Sequence, residues 1–187
     1  MRIVLASASP RRRELLAAAG LDVEVDPVDV DERPVAAEPP AAYVERVARL
    51  KARAGAARHP QRVVVGADTA VVIDGDVLGK PRDAADAGSM LRRLSGRDHD
   101  VMTGVAVASA GLVESFVERT RVTVGPLSDA DIAAYVATGE PFDKAGAYAI
   151  QGGAGRFITG CEGSYSNVVG LPVESLLELL RSGILSR

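Results

Sequence analysis

The sequence predicts an α/β fold built on a mixed β-sheet. Three observations carry that expectation. Short valine-rich runs alternate with stretches of helical periodicity, Asp74-Gly75 is a two-residue turn signal that folds one run back, and a long pair of apolar runs flanks Ser109-Ala110-Gly111 as a second hairpin. Strand–helix alternation calls for parallel pairing with crossover helices, while hairpins add antiparallel pairs, so the sheet is mixed rather than purely doubly wound.

The elements follow in order. Arg2 to Ala6 reads as a short buried strand. Ser9-Pro10 opens a helix, since serine caps well and proline suits the first helical position, and Gly20 closes it. Asp22 to Val30 is extended, with Val23 and Val25 alternating, and Arg33 to Pro40 is a loop. A helix from Ala41 to Arg58 carries Val44, Val47, Ala48 and Ala54 on one stripe. Lys51 falls on that stripe, where it either snorkels outward or reaches inward to an anion.

Arg62 to Ala67 is a second buried strand running into Asp68-Thr69, and Ala70 to Ile73 continues extended to the Asp74-Gly75 turn and a return strand, Val77 to Lys80. Asp83 caps a helix with Ala87, Met90, Leu91 and Leu94 on one face and Gly96 as its stop. Asp100 to Ala108 and Leu112 to Val124 form the long hairpin, and Ser128 with Asp131 makes a capping box for a helix ending near Gly139. Glu140 to Gly170 is glycine-rich and reads as mostly irregular, and Pro172 to Arg181 is the last helix.

The chain has 187 residues, the size of one domain of about 100–200 residues, so residues 1–187 are expected to form a single domain. A hydrophobic content of 47% supports a packed core. The net charge of −3 supplies no global field for a long nucleic acid, so no stable nucleic-acid complex is expected. The local cluster Arg11-Arg12-Arg13 suits a small polyanion, although a solvated helix face is the commoner origin of such a run. One cysteine, Cys161, excludes an intrachain disulfide and a cysteine-rich zinc site, and two histidines argue against a histidine-built one. Any metal would be held by carboxylates and phosphates, which favours Mg2+ or Mn2+. No run approaches ~18 apolar residues, and the apolar start is too short for a signal peptide. A cytoplasmic protein without a membrane partner is therefore expected.

Three constellations carry chemistry. The first is Ser7-Ala8-Ser9-Pro10-Arg11-Arg12 between strand and helix. A helix N-terminus presents unpaired N–H groups and partial positive charge, and two hydroxyls and two arginines there would contact phosphate oxygens. The alternative is an ordinary capped helix with surface arginines, and no Walker-type phosphate loop is present.

The second is Gly66-Ala67-Asp68-Thr69, with the aspartate expected at the carboxyl end of a strand, where α/β proteins place ligands. A carboxylate there can hold a metal or take a proton from water; the alternative is an aspartate opening a turn. The hairpin register pairs Ile73 with Asp76, Val72 with Val77 and Val71 with Leu78, and by continuation Thr69 with Lys80 at roughly 5 Å. The third is Glu140 to Gly153, where Gln151 offers an amide to a base edge among glycines that admit close approach. Gly163 to Asn167 is equally ambiguous, and Gly152-Gly153-Ala154-Gly155 lacks the strand and helix of a dinucleotide fingerprint.

Together these segments resemble the Maf family of nucleotide pyrophosphatases. The matching stretches are Leu5-Ala6-Ser7 through Leu16, Val30-Asp31-Glu32, Leu50-Lys51-Ala52, Gly66 to Thr69, Gly79-Lys80-Pro81, Leu94-Ser95-Gly96, Asp143 to Gly152, and Val168 to Pro172. They stand in family order and cover nearly the whole chain.

The resemblance implies an elongated mixed sheet with helices and two lobes around a cleft, similar to inosine triphosphate pyrophosphatases. It implies hydrolysis of a nucleoside triphosphate to monophosphate and pyrophosphate with a divalent metal cation. It implies Asp68 as proton acceptor, Arg11, Thr69 and Gln151 as specificity positions, and Ser7, Arg12, Glu32, Lys51 and Lys80 as further polar positions. Among these, Arg11, Arg12, Lys51 and Lys80 would neutralise the triphosphate, and Glu32 and Asp68 are the candidate metal ligands.

Residues Gly66 to Thr69, Asp143 to Tyr148 and Gln151-Gly152 resemble the subgroup acting on dTTP and UTP. The 7-methyl-GTP subgroup carries serine and glutamine around its aspartate and glutamate in the place of Gln151. A homodimer and a link to arrest of cell division also follow from the resemblance. The competing class is a non-catalytic regulator of septum formation that binds a nucleotide or nucleic acid.

Overall fold

The structure, a computed structural model, describes residues 2–182. In chain order it runs β1 (Arg2–Leu5), α1 (Pro10–Ala18), β2 (Asp22–Val25), α2 (Pro40–Arg58), β3 (Val64–Ile73), β4 (Asp76–Leu78), α3 (Ala84–Leu94), β5 (Asp98–Ser109), β6 (Leu112–Val124) and α4 (Asp129–Ala137). Three short 3-10 turns between Glu140 and Phe157 follow, then β7 (Ile158–Glu162), α5 (Tyr165–Val169) and α6 (Val173–Ser182). The sheet is mixed and seven-stranded, in the order β2-β1-β3-β5-β6-β7 with β4 paired to β3. Strands β1, β2 and β3 pair in parallel, and β4 and β7 pair antiparallel with β3 and β6.

Local chemistry explains the element ends. The Ser9 side chain caps α1 by accepting from Arg12 N, with Pro10 as the first helical residue. The Ser128 and Asp131 side chains form the reciprocal capping box of α4. Asp74 and Gly75 both take positive φ, 54° and 83°, as a type I′ turn demands, and the register is Ile73–Asp76, Val72–Val77 and Val71–Leu78 as expected.

Several expectations are corrected. The two runs expected over 62–67 and 70–73 are one strand that begins at Val64 and continues to Ile73, so Asp68 lies inside β3 rather than at its end. The β3–β4 ladder stops at Val71–Leu78, so the extrapolated Thr69–Lys80 pair is not part of it. The extended segment after Asp22 ends as a strand at Val25, not Val30. The glycine-rich stretch expected to be irregular contains β7 and α5.

The chain divides into two compact units. The first holds the described residues up to Thr69, with Thr103–Glu118 and those from Gly170 onward. Its core has two layers. Ile3, Leu5, Val65, Ala67, Val105 and Val107 meet Leu16 of α1 and Leu176 and Leu180 of α6, whereas Val4, Ala6, Val64, Ala106 and Ala108 meet Ala48 and Ala52 of α2. The second unit holds Ala70–Met102 and Arg119–Val169, around Leu91 and Leu94 of α3, Ile132 and Tyr135 of α4, and Val71, Val101 and Val122. No helix among the described residues is long and apolar enough to cross a membrane.

Candidate active site

Residues Gly66 and Asp68 point to one face of β3, and Ala67 and Thr69 to the other, as strand alternation requires. The first face meets α2 at unusually close range. A Cβ on Gly66 would collide with the Ala48 carbonyl oxygen and lie 2.5 Å from Ala52 N and 3.0 Å from Lys51 Cβ. A Cβ on Gly104 of β5 would likewise collide with the Val44 carbonyl oxygen. Glycine on the strands and alanine on the helix thus let the α2 backbone lie against the sheet.

That approach delivers Lys51. It turns inward, is 7% exposed, and donates from Nζ to Asp68 Oδ1 at 2.9 Å. The same Nζ lies 2.9 Å from Glu32 Oε1. Asp68 is itself 8% exposed, while Glu32 is half open to solvent. The parallel partner of β3 explains why Asp68 is reachable although it lies inside a strand. β1 ends at Leu5, opposite Val65, so Asp68 projects beyond the carboxyl end of the β1–β3 pair.

Glu32 sits on a loop fastened to the same helix. Arg46 of α2 grips Glu38 through both oxygens, at 2.6 and 2.8 Å, and donates to the Arg33 carbonyl at 3.0 Å. Arg33 in turn forks onto Asp31. Tyr43, one turn before Arg46, has its phenol pushed up to about 12, by desolvation first and then by the charges of Asp68 and Glu32. Its electrostatic coupling to both carboxylates marks it as a neighbour of the site.

The opposite face of β3 is organised by Arg12. Its guanidinium is buried and donates to the Gly170 carbonyl at 2.9 Å, the Ala67 carbonyl at 2.9 Å, Ser7 Oγ at 3.1 Å and Thr69 Oγ1 at 3.0 Å. Four of its five N–H donors are therefore used inside the protein. Burial pulls the Arg12 pKa down, opposed by Asp68, with lesser contributions from Arg11 and Glu32. Thr69 Oγ1 also meets Thr103 Oγ1 at 2.9 Å and the Gly170 carbonyl at 3.3 Å.

The two arginines expected to act alike on phosphate are thus separated by the fold. Arg12 ties β1, β3 and the Gly170 turn together, whereas half-exposed Arg11 makes no hydrogen bond or ion pair among the described residues.

The first unit therefore brings together Ser7, Arg12, Glu32, Lys51, Asp68 and Thr69. Lys80 and Gln151 belong to the second unit and are exposed. The segments carrying them are fixed by backbone. Gly146 N donates to the Gly79 carbonyl beside Lys80, and Gly152 N to the Ala149 carbonyl beside Gln151. Glu140 pins that second loop further, accepting from Gly153 N at 3.0 Å and from the Tyr135 hydroxyl at 2.8 Å. Arg46, Tyr43 and Thr103 are not singled out by the sequence, and Glu140 enters there only as the first residue of the third constellation.

Among the described residues no three acidic, histidine or cysteine side chains gather into a metal cage. Glu32 and Asp68 are nevertheless two oxygen donors already converging on one cation, the Lys51 ammonium. That donor set fits Mg2+ or Mn2+, which bind through one or two carboxylates and complete their shell with water and substrate phosphates.

Known proteins resemble this chain over nearly its whole length. A family model described as Maf-like protein matches residues 2–183. A protein of Anaeromyxobacter dehalogenans (strain 2CP-C) named dTTP/UTP pyrophosphatase is 58% identical over 184 residues, covering 96% of this chain and 93% of its own. Proteins of the same name from Myxococcus xanthus (strain DK1622) and Koribacter versatilis (strain Ellin345) are 55% and 52% identical, covering 97% and 99% of this chain and 93% and 96% of their own. Among solved structures, the Staphylococcus aureus Ham1 protein superposes with a TM-score of 0.54 at 15% identity, over 97% of this chain and 98% of that one, a likeness of fold alone. With its family model matched almost end to end and relatives this similar at full length, the chain belongs to the Maf-like protein family.

Proposed function

We propose that this chain hydrolyses dTTP and UTP to the monophosphate and pyrophosphate. The observation that carries the reading is the Asp68–Lys51 pair at the carboxyl edge of the parallel strands, in a chain 58% identical to a protein named dTTP/UTP pyrophosphatase.

In this reading Asp68 takes a proton from water as the water oxygen attacks the α-phosphorus. The bond from that phosphorus to the β-phosphate bridging oxygen breaks, and pyrophosphate leaves with the electron pair. Lys51, one hydrogen bond away, offsets the charge of the phosphates. Glu32 and Asp68 would hold a divalent cation, whose chemistry is to polarise a phosphate oxygen and neutralise the leaving group.

Arg11 is the free cation of the Ser7–Arg12 segment and is assigned to the nucleotide. Arg12 and Ser7 serve it by fixing Thr69 and the strand ends. Arg11, Thr69 and Gln151 as readers of the base, and Lys80 as a phosphate contact, rest on family likeness. So do modified pyrimidine nucleotides as additional substrates, a cytoplasmic setting, a homodimer and any tie to cell division.

The test is pyrophosphate release with Mg2+ or Mn2+ from dTTP, UTP, CTP, GTP, ATP and 7-methyl-GTP. The expected outcome is release chiefly from dTTP and UTP. If 7-methyl-GTP is the best substrate, the pyrimidine assignment fails. If folded protein releases nothing from any of them, the chemistry fails.

A further inference from the structure

We propose that the Lys51 ammonium is a resident cation that keeps free divalent metal off the Glu32–Asp68 pair, so that metal is retained only together with nucleotide. The inference rests on the pyrophosphatase reading and extends it to how the site is loaded.

The geometry is direct. One Nζ stands 2.9 Å from Glu32 Oε1 and 2.9 Å from Asp68 Oδ1. An ion bridging those two oxygens would have to occupy the position Nζ holds, or stand beside a buried like charge. Lys51 cannot swing freely into solvent, because its stem leaves α2 where the helix lies against Gly66 and the residue is 7% exposed.

Charge balance points the same way. The two carboxylates are met by Lys51 in contact and by buried Arg12, whose guanidinium feels both of them. Two negative groups facing two fixed positive ones leave little net field to attract a free metal ion, and repulsion between close like charges is strong in a poorly solvated site.

A triphosphate changes that balance. Its oxygens are better partners for an ammonium than a carboxylate shared between two claims, and they supply ligands that Mg2+ or Mn2+ prefers. Lys51 then moves its hydrogen bonds to phosphate, and the carboxylates are released to the metal.

The test measures binding of Mn2+ itself, by the electron paramagnetic resonance of the free ion, on the full chain. Wild type is titrated alone and with the non-hydrolysable α,β-methylene analogue of UTP, corrected for metal held by the analogue in solution. Wild type is expected to bind Mn2+ at least about tenfold more tightly with the analogue. Lys51→Met is expected to bind Mn2+ alone at least about tenfold more tightly than wild type, with the gain abolished by adding Glu32→Gln. Arg53→Met removes a solvent-exposed cation of the same helix and is expected to leave Mn2+ binding unchanged.

A Lys51→Met protein leaves two carboxylates facing each other, so its melting temperature should rise with Mn2+ alone while that of wild type barely moves. Lys51→Gln serves if the methionine variant does not fold. Equal Mn2+ affinity of wild type with and without the analogue, or no gain in the Lys51 variants, overturns the proposal. Pyrophosphate release from dTTP by the same wild-type sample separates that outcome from failure of the pyrophosphatase reading.

Discussion

Lys51 Nζ lies 2.9 Å from Asp68 Oδ1 because Gly66, two residues before Asp68, has no side chain to hold α2 away. The contact predicts a sharp response to one added methyl group. Gly66→Ala would place a carbon against the backbone of Ala48 and Ala52, where nothing can yield without moving the helix. The expected cost is about 1–3 kcal/mol in urea unfolding, with a loss of turnover larger than the loss of folded protein.

Arg12 makes a second prediction. Arg12→Ala leaves the Ala67 and Gly170 carbonyls and Thr69 without their shared donor. The variant should lose about 3 kcal/mol or more of stability to unfolding. Arg12→Lys should recover little of it, since one ammonium cannot span acceptors arranged for a planar fork. Recovery of full stability by lysine would contradict the bracing role.

Glu140 fixes the loop next to Gln151 through Gly153 N and the Tyr135 hydroxyl. Glu140→Ala is expected to raise KM for dTTP and to narrow the preference for dTTP over CTP, while leaving kcat the less affected quantity. Steady-state kinetics on the two substrates reads this out. An effect confined to kcat would contradict it.

His99 makes stability depend on pH. It is 4% exposed, its Nε2 meets the Tyr148 hydroxyl at 2.6 Å, and its Nδ1 has no partner among the described residues. Desolvation lowers its pKa from 6.5 to about 4, against weaker upward pulls from Asp100 and Asp98. Between those values the unfolded chain binds the proton and the folded chain does not, so stability falls as pH drops from 6.5 towards 4. The contribution to that loss is about 3 kcal/mol. Urea unfolding across that range should show the slope, and His99→Gln should flatten it.

Much of the fold is legible because its signals are local. Asp74-Gly75 fixed a turn and a register, Ser9-Pro10 a helix start, and Ser128 with Asp131 a capping box, each through residues within four positions of one another. β7 was not legible. Ile158–Glu162 has no run of alternating apolar residues, and its strand character comes from the ladder to β6, some forty residues away in sequence.

The site divides along the same line. Asp68, Lys51 and Glu32 could be nominated from residue type and placement, but whether Lys51 turned in or out depended on the Gly66 contact with α2. Arg12 could not be told apart from Arg11, because the carbonyls that claim it belong to Ala67 and Gly170, 55 and 158 residues on.

The central claim is that Asp68 activates water for pyrophosphate release. The most direct measurement is release from dTTP and UTP by wild type and Asp68→Asn, with folding of both checked by thermal unfolding. The account predicts brisk release by wild type and, in the folded variant, a loss of at least about a hundredfold. Near-normal release by Asp68→Asn would contradict it.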